Sequence, residues 1–389
     1  MKNRMNQMFA LALAGLIALM VTGCGSAGST GGCTTNCGGG GGTPTVTVPT
    51  GPSTLQICGG PSYTYKSSAS SGGVTLSVSD TSLATISSAG VVTPTCTAAS
   101  AGQTVDIIAT STSDATVSEK LSVALKNQVM YNLKASDSTP SAPEADTWVA
   151  NSDGSDAADV LSDGCLQPNY FTGHTAFVCI ANDATGNNVQ IFSADGTAEA
   201  TLTTTLPFPT LSLLQAPTPS PDGKNILFIG ADTSTNAWAT YTASAVDGSD
   251  LKALSQEVAC TGGCPGISNA SWSHDGKLIV YNHIVHYQIL LWVMNADGSN
   301  QTQLTSSEAA DGVFSLDDKT IYFDERSGIY SIPVAGGTPT LWKSGAYDPV
   351  VSPDGTKIAY LSGSAIYTAN TADGSDVQQI LSTPSLITW

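Results

Sequence analysis

Positive charge is what this chain has least of. Lys and Arg together number 13 against 31 Asp and Glu, and the formal net charge is −18. A surface that negative repels phosphate backbones, which excludes nucleic acid as a partner, and it disfavours flat adsorption to anionic lipid. Charged residues make up 11% of the chain, so Ser, Thr, Asn and Gly must supply much of the polar surface. Long apolar runs are equally scarce. The single candidate, Phe9 to Met20, is too short to cross a bilayer core of ~30 Å as a helix. The chain has no G-x-S-x-G elbow, which excludes peptidase chemistry of the α/β type.

What the front end does have is an export label. Lys2 and Arg4 precede the uncharged Phe9–Met20 run, and Val21-Thr22-Gly23-Cys24 follows at once, the layout of a signal peptide that is later removed. The ending resembles a bacterial lipobox, which implies cleavage after residue 23 and lipidation of the Cys24 thiol. The competing reading is ordinary cleavage, with Cys24 joining a disulfide. Without residues 1–23 the chain keeps 11 basic and 31 acidic residues. Membrane attachment must then rest on the acyl chains alone, and stable anchoring takes two or more. The remaining eight cysteines fall into the neighbouring pairs Cys33/Cys37, Cys58/Cys96, Cys165/Cys179 and Cys260/Cys264. Export favours disulfides, and a nearest-neighbour scheme keeps each bond within one structural unit, although spacing alone does not determine connectivity. The C-x-x-x-C pairs are the metal alternative, but neither has a histidine close by.

Four segments follow. Residues 1–23 are the signal peptide, and 24–54 form a Gly/Thr/Pro-rich tether around Gly38–Gly42. Residues 55–127 alternate apolar and polar positions (Val74, Leu76, Val78; Val105, Ile107, Ala109; Leu121, Val123, Leu125) between Gly and Ser/Asp turns, the pattern of a small β-sandwich. Ser79–Ile86, Gly90–Thr93 and Ala101–Val105 resemble bacterial immunoglobulin-like domains of the invasin/intimin type, which implies a spacer or adhesive module.

Residues 128–389 carry an internal repeat. Ser220-Pro221-Asp222-Gly223-Lys224 recurs at Ser273–Lys277, Ser315–Lys319 and Ser352–Thr356, with a degenerate copy at Thr172-Gly173-His174. Asn295-Ala296-Asp297-Gly298-Ser299 recurs around Asp153, Asp195, Asp247, Gly336 and Asp373. Asp-Gly supplies the positive φ angles of a two-residue hairpin turn. Two hairpins per repeat make a four-stranded propeller blade. Six outer turns against five inner ones predict that Ser385–Trp389 supplies the missing innermost strand of the blade whose outer strands include Trp148–Ala150. The chain is therefore expected to be all-β, an immunoglobulin-like sandwich followed by a six-bladed propeller, with seven blades as the alternative. The repeats resemble those of TolB-type propellers, relatives of the WD type. That family's namesake is a periplasmic envelope protein with an α/β domain before its propeller, which this chain replaces by a sandwich.

No catalytic residue set emerges. The Asp-Gly loops lack EF-hand spacing, so they imply no cofactor beyond adventitious calcium. His283 and His286 have no evident third metal ligand, and Arg326 is the sole propeller arginine, against the arginine clusters of sialidase-type propellers. The irregular connections on one side hold Trp238, His283, His286, Tyr287, Asp324, Glu325, Arg326, Tyr347 and Asp348, and these are the partner-binding candidates. The expectation is a lipid-anchored, non-catalytic interaction scaffold of the cell envelope, at the outer membrane facing the periplasm or at the cell surface, binding an envelope protein or peptide. A glycan-binding or adhesive module is the alternative, and a metal-dependent propeller hydrolase or lyase comes third.

Overall fold

The computed structural model describes residues 43–57, 63–95, 102–134, 145–152, 154, 157–161, 165–171, 176–183, 186–193, 196, 198–201, 211–232, 237–255, 258–259, 269–285, 288–382 and 384–388. All regular elements among them are strands. Cys24, Cys33, Cys37, Cys58, Cys96, Cys260, Cys264, His286 and Tyr287 lie outside the described residues.

Strand formation in the front unit follows the alternation directly. Thr104–Ser111 buries every second side chain, and its inward residues Val105 and Ile107 join Leu55, Ile57, Tyr65, Val92, Val123 and Leu125 in one core. One sheet has the order Thr54–Gln56, Ser118–Lys126, Thr104–Ser111, Val74–Val78. The other has Tyr63–Thr64, Val91–Pro94, Ala84–Ile86. The Thr/Pro/Val stretch that the sequence assigns to the tether is partly built into this unit. Thr50 exchanges backbone hydrogen bonds with Lys66, Val46 bridges Ala69, and Thr54–Gln56 pairs in parallel with Ala124–Lys126.

Beyond Asn127 the described residues form six antiparallel sheets, each a meander whose four main strands pair in sequence order, with Val258–Ala259 added beside Ala237–Ser244 in one of them. The exception closes the structure: Pro384–Thr388 pairs with Gln128–Lys134, so one sheet takes strands from both ends of the region, as the turn count predicts. The innermost strands are Cys165–Tyr170, Leu211–Pro219, Ala270–Trp272, Ala310–Phe314, Tyr347–Val351 and Pro384–Thr388. Each touches the next, and the last returns to the first. Every junction between neighbouring sheets has its own apolar core, including Met130 with Phe177, Ile180 with Phe228, Leu227 with Ile279, Val280 with Ile321, Tyr322 with Ile358, and Tyr131 with Leu361. Burial is thus distributed around a ring, which is the geometry of a propeller. A disulfide joins Cys165 to Cys179 across two adjacent strands, with both cysteines fully buried.

The inner turns do not close as two-residue corners. In each of four copies the backbone pair is Ser220–Asn225, Ser273–Leu278, Ser315–Thr320 or Ser352–Lys357, with four residues between. In each copy only the fourth motif residue takes positive φ (70° at Gly223, Gly276 and Gly355, 56° at Asp318), and the aspartate before it folds its carboxylate back onto the turn. Asp275 Oδ1 accepts from the Ser273 hydroxyl at 2.9 Å and from the Lys277 amide at 3.0 Å.

Candidate functional site

Four innermost strands carry the same irregularity. Gln167, Ala216, Asp311 and Asp348 have positive φ (53°, 47°, 52° and 60°), and sheet register shifts at or beside each. The residue that follows is Pro168, Pro217, Gly312 or Pro349. A non-glycine residue in this conformation is strained, and such outliers and bulges gather at functional sites. All four residues line one cavity of about 360 Å³ within the ring of inner strands.

Side chains from neighbouring sheets hold these bulges. Asn132 and Asp324 each stand fifth in the strand next to an innermost one, Gln128–Lys134 and Thr320–Glu325. Asn132 Oδ1 accepts the Gln167 amide at 3.2 Å, and the Gln167 side chain in turn accepts the Ala216 amide at 2.6 Å. On the opposite side of the sequence repeat, Asp324 accepts the Asp348 amide on both oxygens, at 2.9 and 2.8 Å.

The ionisable side chains that line the cavity among the described residues are therefore acidic or phenolic. Asp311, Asp324 and Asp348 line it with Gln167, Asn169, Thr218, Asn269 and Ser271, and among the described residues its lining includes no Lys, Arg or His. Burial pushes the Asp324 carboxyl up to about 8, with the charges of Asp311 and Asp348 adding to the rise and the Asp348 amide opposing it. Burial and the Asp311 charge raise Asp348 as well. Like charges in one partly desolvated space cannot all ionise at neutral pH.

A second groove of about 390 Å³ adjoins this cavity, sharing Asp324 and Tyr347. Arg326 Nη2 meets Glu308 Oε2 at 2.8 Å on its wall, Glu325 stands beside them, and the Tyr347 hydroxyl donates to Gly363 O at 2.7 Å while its ring is 43% exposed. Five sequence candidates, Asp324, Glu325, Arg326, Tyr347 and Asp348, thus fall around one mouth. Trp238 does not: it is 9% exposed and packs with Ile229, Ala231 and Ile284. His283 lies within Leu278–Val285 rather than in a connection, edge-on to Trp292 at 5.2 Å, and burial lowers its pKa. Among the described residues no group of three or more His, Cys, Asp or Glu has metal-binding geometry. Sequence reasoning missed Asp311, Gln167, Asn169 and Asn269. The signal that marks the first two is a residue followed by Pro or Gly a few places before each inner turn.

Comparison with known proteins bears on the fold. No protein-family model and no curated protein matches the chain. Among solved structures, TolB from Acinetobacter baumannii is similar at 18% identity and a TM-score of 0.55, over 74% of this chain and 79% of that one. A TolB-type protein from Agrobacterium tumefaciens (16%, TM-score 0.48, 65% and 87%) and the oligogalacturonate lyase from Vibrio parahaemolyticus (10%, 0.45, 80% and 87%) also align. The likeness is one of fold: a β-propeller similar to that of TolB.

Proposed function

We propose that this chain is a lipid-anchored protein of the bacterial cell envelope, with an immunoglobulin-like spacer and a six-bladed propeller that binds a partner protein without catalysis. The partner presents a basic side chain to the mouth formed by Asp311, Asp324 and Asp348. The observation that carries this reading is a concave cavity with three carboxylates and, among the described residues, no cation in its lining, on the face built from the irregular connections. Concave pockets with a few convergent polar groups are the default binding sites of such folds. The acidic composition adds long-range attraction for a basic partner. A protein partner is favoured over a glycan because Trp238, Trp292 and Trp342 pack between sheets, which removes them as stacking platforms. The Cys24 anchor and the export label supply the envelope location, with outer-membrane delivery as the finer reading.

The test is in-cell photo-crosslinking from position 347, compared with the same probe at Val246 on the turn face. A discrete adduct from 347, lost in Asp348→Asn, supports the proposal. Equal adducts from both positions, or an adduct indifferent to Asp348→Asn, removes this mouth as the binding site.

A further inference from the structure

The inner turns of neighbouring sheets touch one another around the ring. Gly223 lies beside the Phe171 ring, Gly276 beside Pro221, and Gly355 beside Leu316. The amides of His274 and Asp275 donate to the two carboxylate oxygens of Asp318 at 2.7 and 2.9 Å. The sheet that joins the two ends of the region has no inner turn to offer, because its innermost strand, Pro384–Thr388, is not continuous with Gln128–Lys134. Asn127 stands in that place. Its side-chain amide donates to Asp354 Oδ2 at 3.1 Å, and both residues are 3% exposed.

Asp354 differs from its counterparts in a way that fits this contact. Asp222, Asp275 and Asp317 are about half exposed, and each pairs with a lysine two residues on. At the equivalent position the fourth copy has Thr356, which binds Asp354 Oδ1 at 2.8 Å through its hydroxyl and leaves Oδ2 for Asn127. Asn127 is also the only residue between Ser118–Lys126 of the front unit and Gln128–Lys134 of the ring. Its carbonyl accepts from Ser152, and the preceding carbonyl, that of Lys126, accepts from Ile57. No slack separates the two units.

We infer that Asn127 is a clamp that locks the ring's closing seam and fixes the front unit to it, so that a pull on the N-terminal segment meets the Asn127–Asp354 hydrogen bond before it peels Gln128–Lys134 away from Pro384–Thr388. Breaking the clamp loosens the seam first and leaves the opposite side of the ring closed, because each inter-sheet junction has a separate core.

Hydrogen exchange of the full chain tests this. Asn127→Ala is expected to speed exchange in 128–134 and 385–388 about tenfold, the loss of one buried hydrogen bond to a charged group, while Leu278–Val285 stays unchanged. Asn127→Asp, which sets two carboxylates together, is expected to act more strongly. The exchanged pair Asn127→Asp with Asp354→Asn restores donor and acceptor and is expected to return protection toward wild type. Unchanged seam exchange in Asn127→Ala, an equal rise in Leu278–Val285, or an exchanged pair no better than Asn127→Asp alone overturns the clamp.

Discussion

The backbone amide of Asp348 points at the carboxylate of Asp324, 2.9 and 2.8 Å from its two oxygens, and so ties the bulge of one innermost strand to the strand beside its neighbour. Asn132 makes the same kind of contact to Gln167 with a neutral side chain. A carboxylate is not needed for the structural task, so its charge at position 324 is a cost to stability that the cavity retains.

That cost sets a pH dependence. Asp324 holds its proton up to about pH 8 in the folded chain but releases it near pH 4 when unfolded. Between these values the folded state binds the extra proton, so its stability falls as pH rises, and the whole penalty is present above about pH 8. Asp324→Asn is therefore expected to stabilise the protein at pH 8–9 by roughly 1–2 kcal/mol, allowing for screening by channel water, and to have no effect below pH 4. Thermal unfolding across this range measures it, and a pH-independent difference contradicts the assignment.

Partner capture should follow the same groups with opposite sign. A basic side chain entering the mouth favours ionised Asp324 and Asp348, so binding releases protons and tightens as pH rises from 6 to 8. Titration with a lysine-rich peptide is expected to show this slope, to weaken in high salt, and to lose on the order of tenfold in affinity with Asp348→Asn. An affinity flat in both pH and salt would falsify the charge-based reading.

How much of this was legible in the sequence depends on how local the cause is. The Ser-x-Asp-Gly turns are visible because serine, aspartate and glycine act within six residues, and the closing strand is visible because the outer turns outnumber the inner ones. Even so, the turn mechanism differs: a single residue takes positive φ, glycine in three copies and Asp318 in the fourth, and the aspartate before it acts as an acceptor. The role of Asp311 was hidden because its direction depends on a register shift between Ala310 and Val313, which pairing with another strand decides. Trp238 looked like a loop residue because strand ends cannot be read to the residue. The strand starts at Ala237, and the ring turns inward against Ile284.

The turn aspartates are expected to contribute to acid stability, an effect reduced by their exposure to solvent. The Ser220 hydroxyl, with Lys224, holds Asp222 down to about 2, and Lys277, with the Ser273 hydroxyl, does the same for Asp275. A depressed carboxylate adds stability above its unfolded pKa near 4 and loses it as pH falls through about 2. Unfolding monitored by circular dichroism is expected to show stability declining from pH 4 to pH 2. Asp275→Asn is expected to flatten that decline and to lower stability at pH 7. A variant that matches wild type at pH 7 argues against the turn carboxylate.

Gly312 links the ring's packing to its mouth. A β-carbon there would sit 2.7 Å from Leu291 Cδ1 and 2.9 Å from Val280 Cγ2, inside the core shared with the preceding sheet. Both neighbours are branched side chains locked by burial, so Gly312→Ala is expected to cost about 1–3 kcal/mol through overpacking. The strain falls on the residue next to Asp311, so basic-peptide binding should weaken together with stability. Gly336→Ala is the matching control. It also replaces a positive-φ glycine, but it meets no atom within 4 Å and lies in an outer turn. It is expected to lower stability through backbone strain while leaving peptide affinity intact. Equal loss of affinity in both variants would mean that the carboxylate mouth senses global stability and not the placement of this strand.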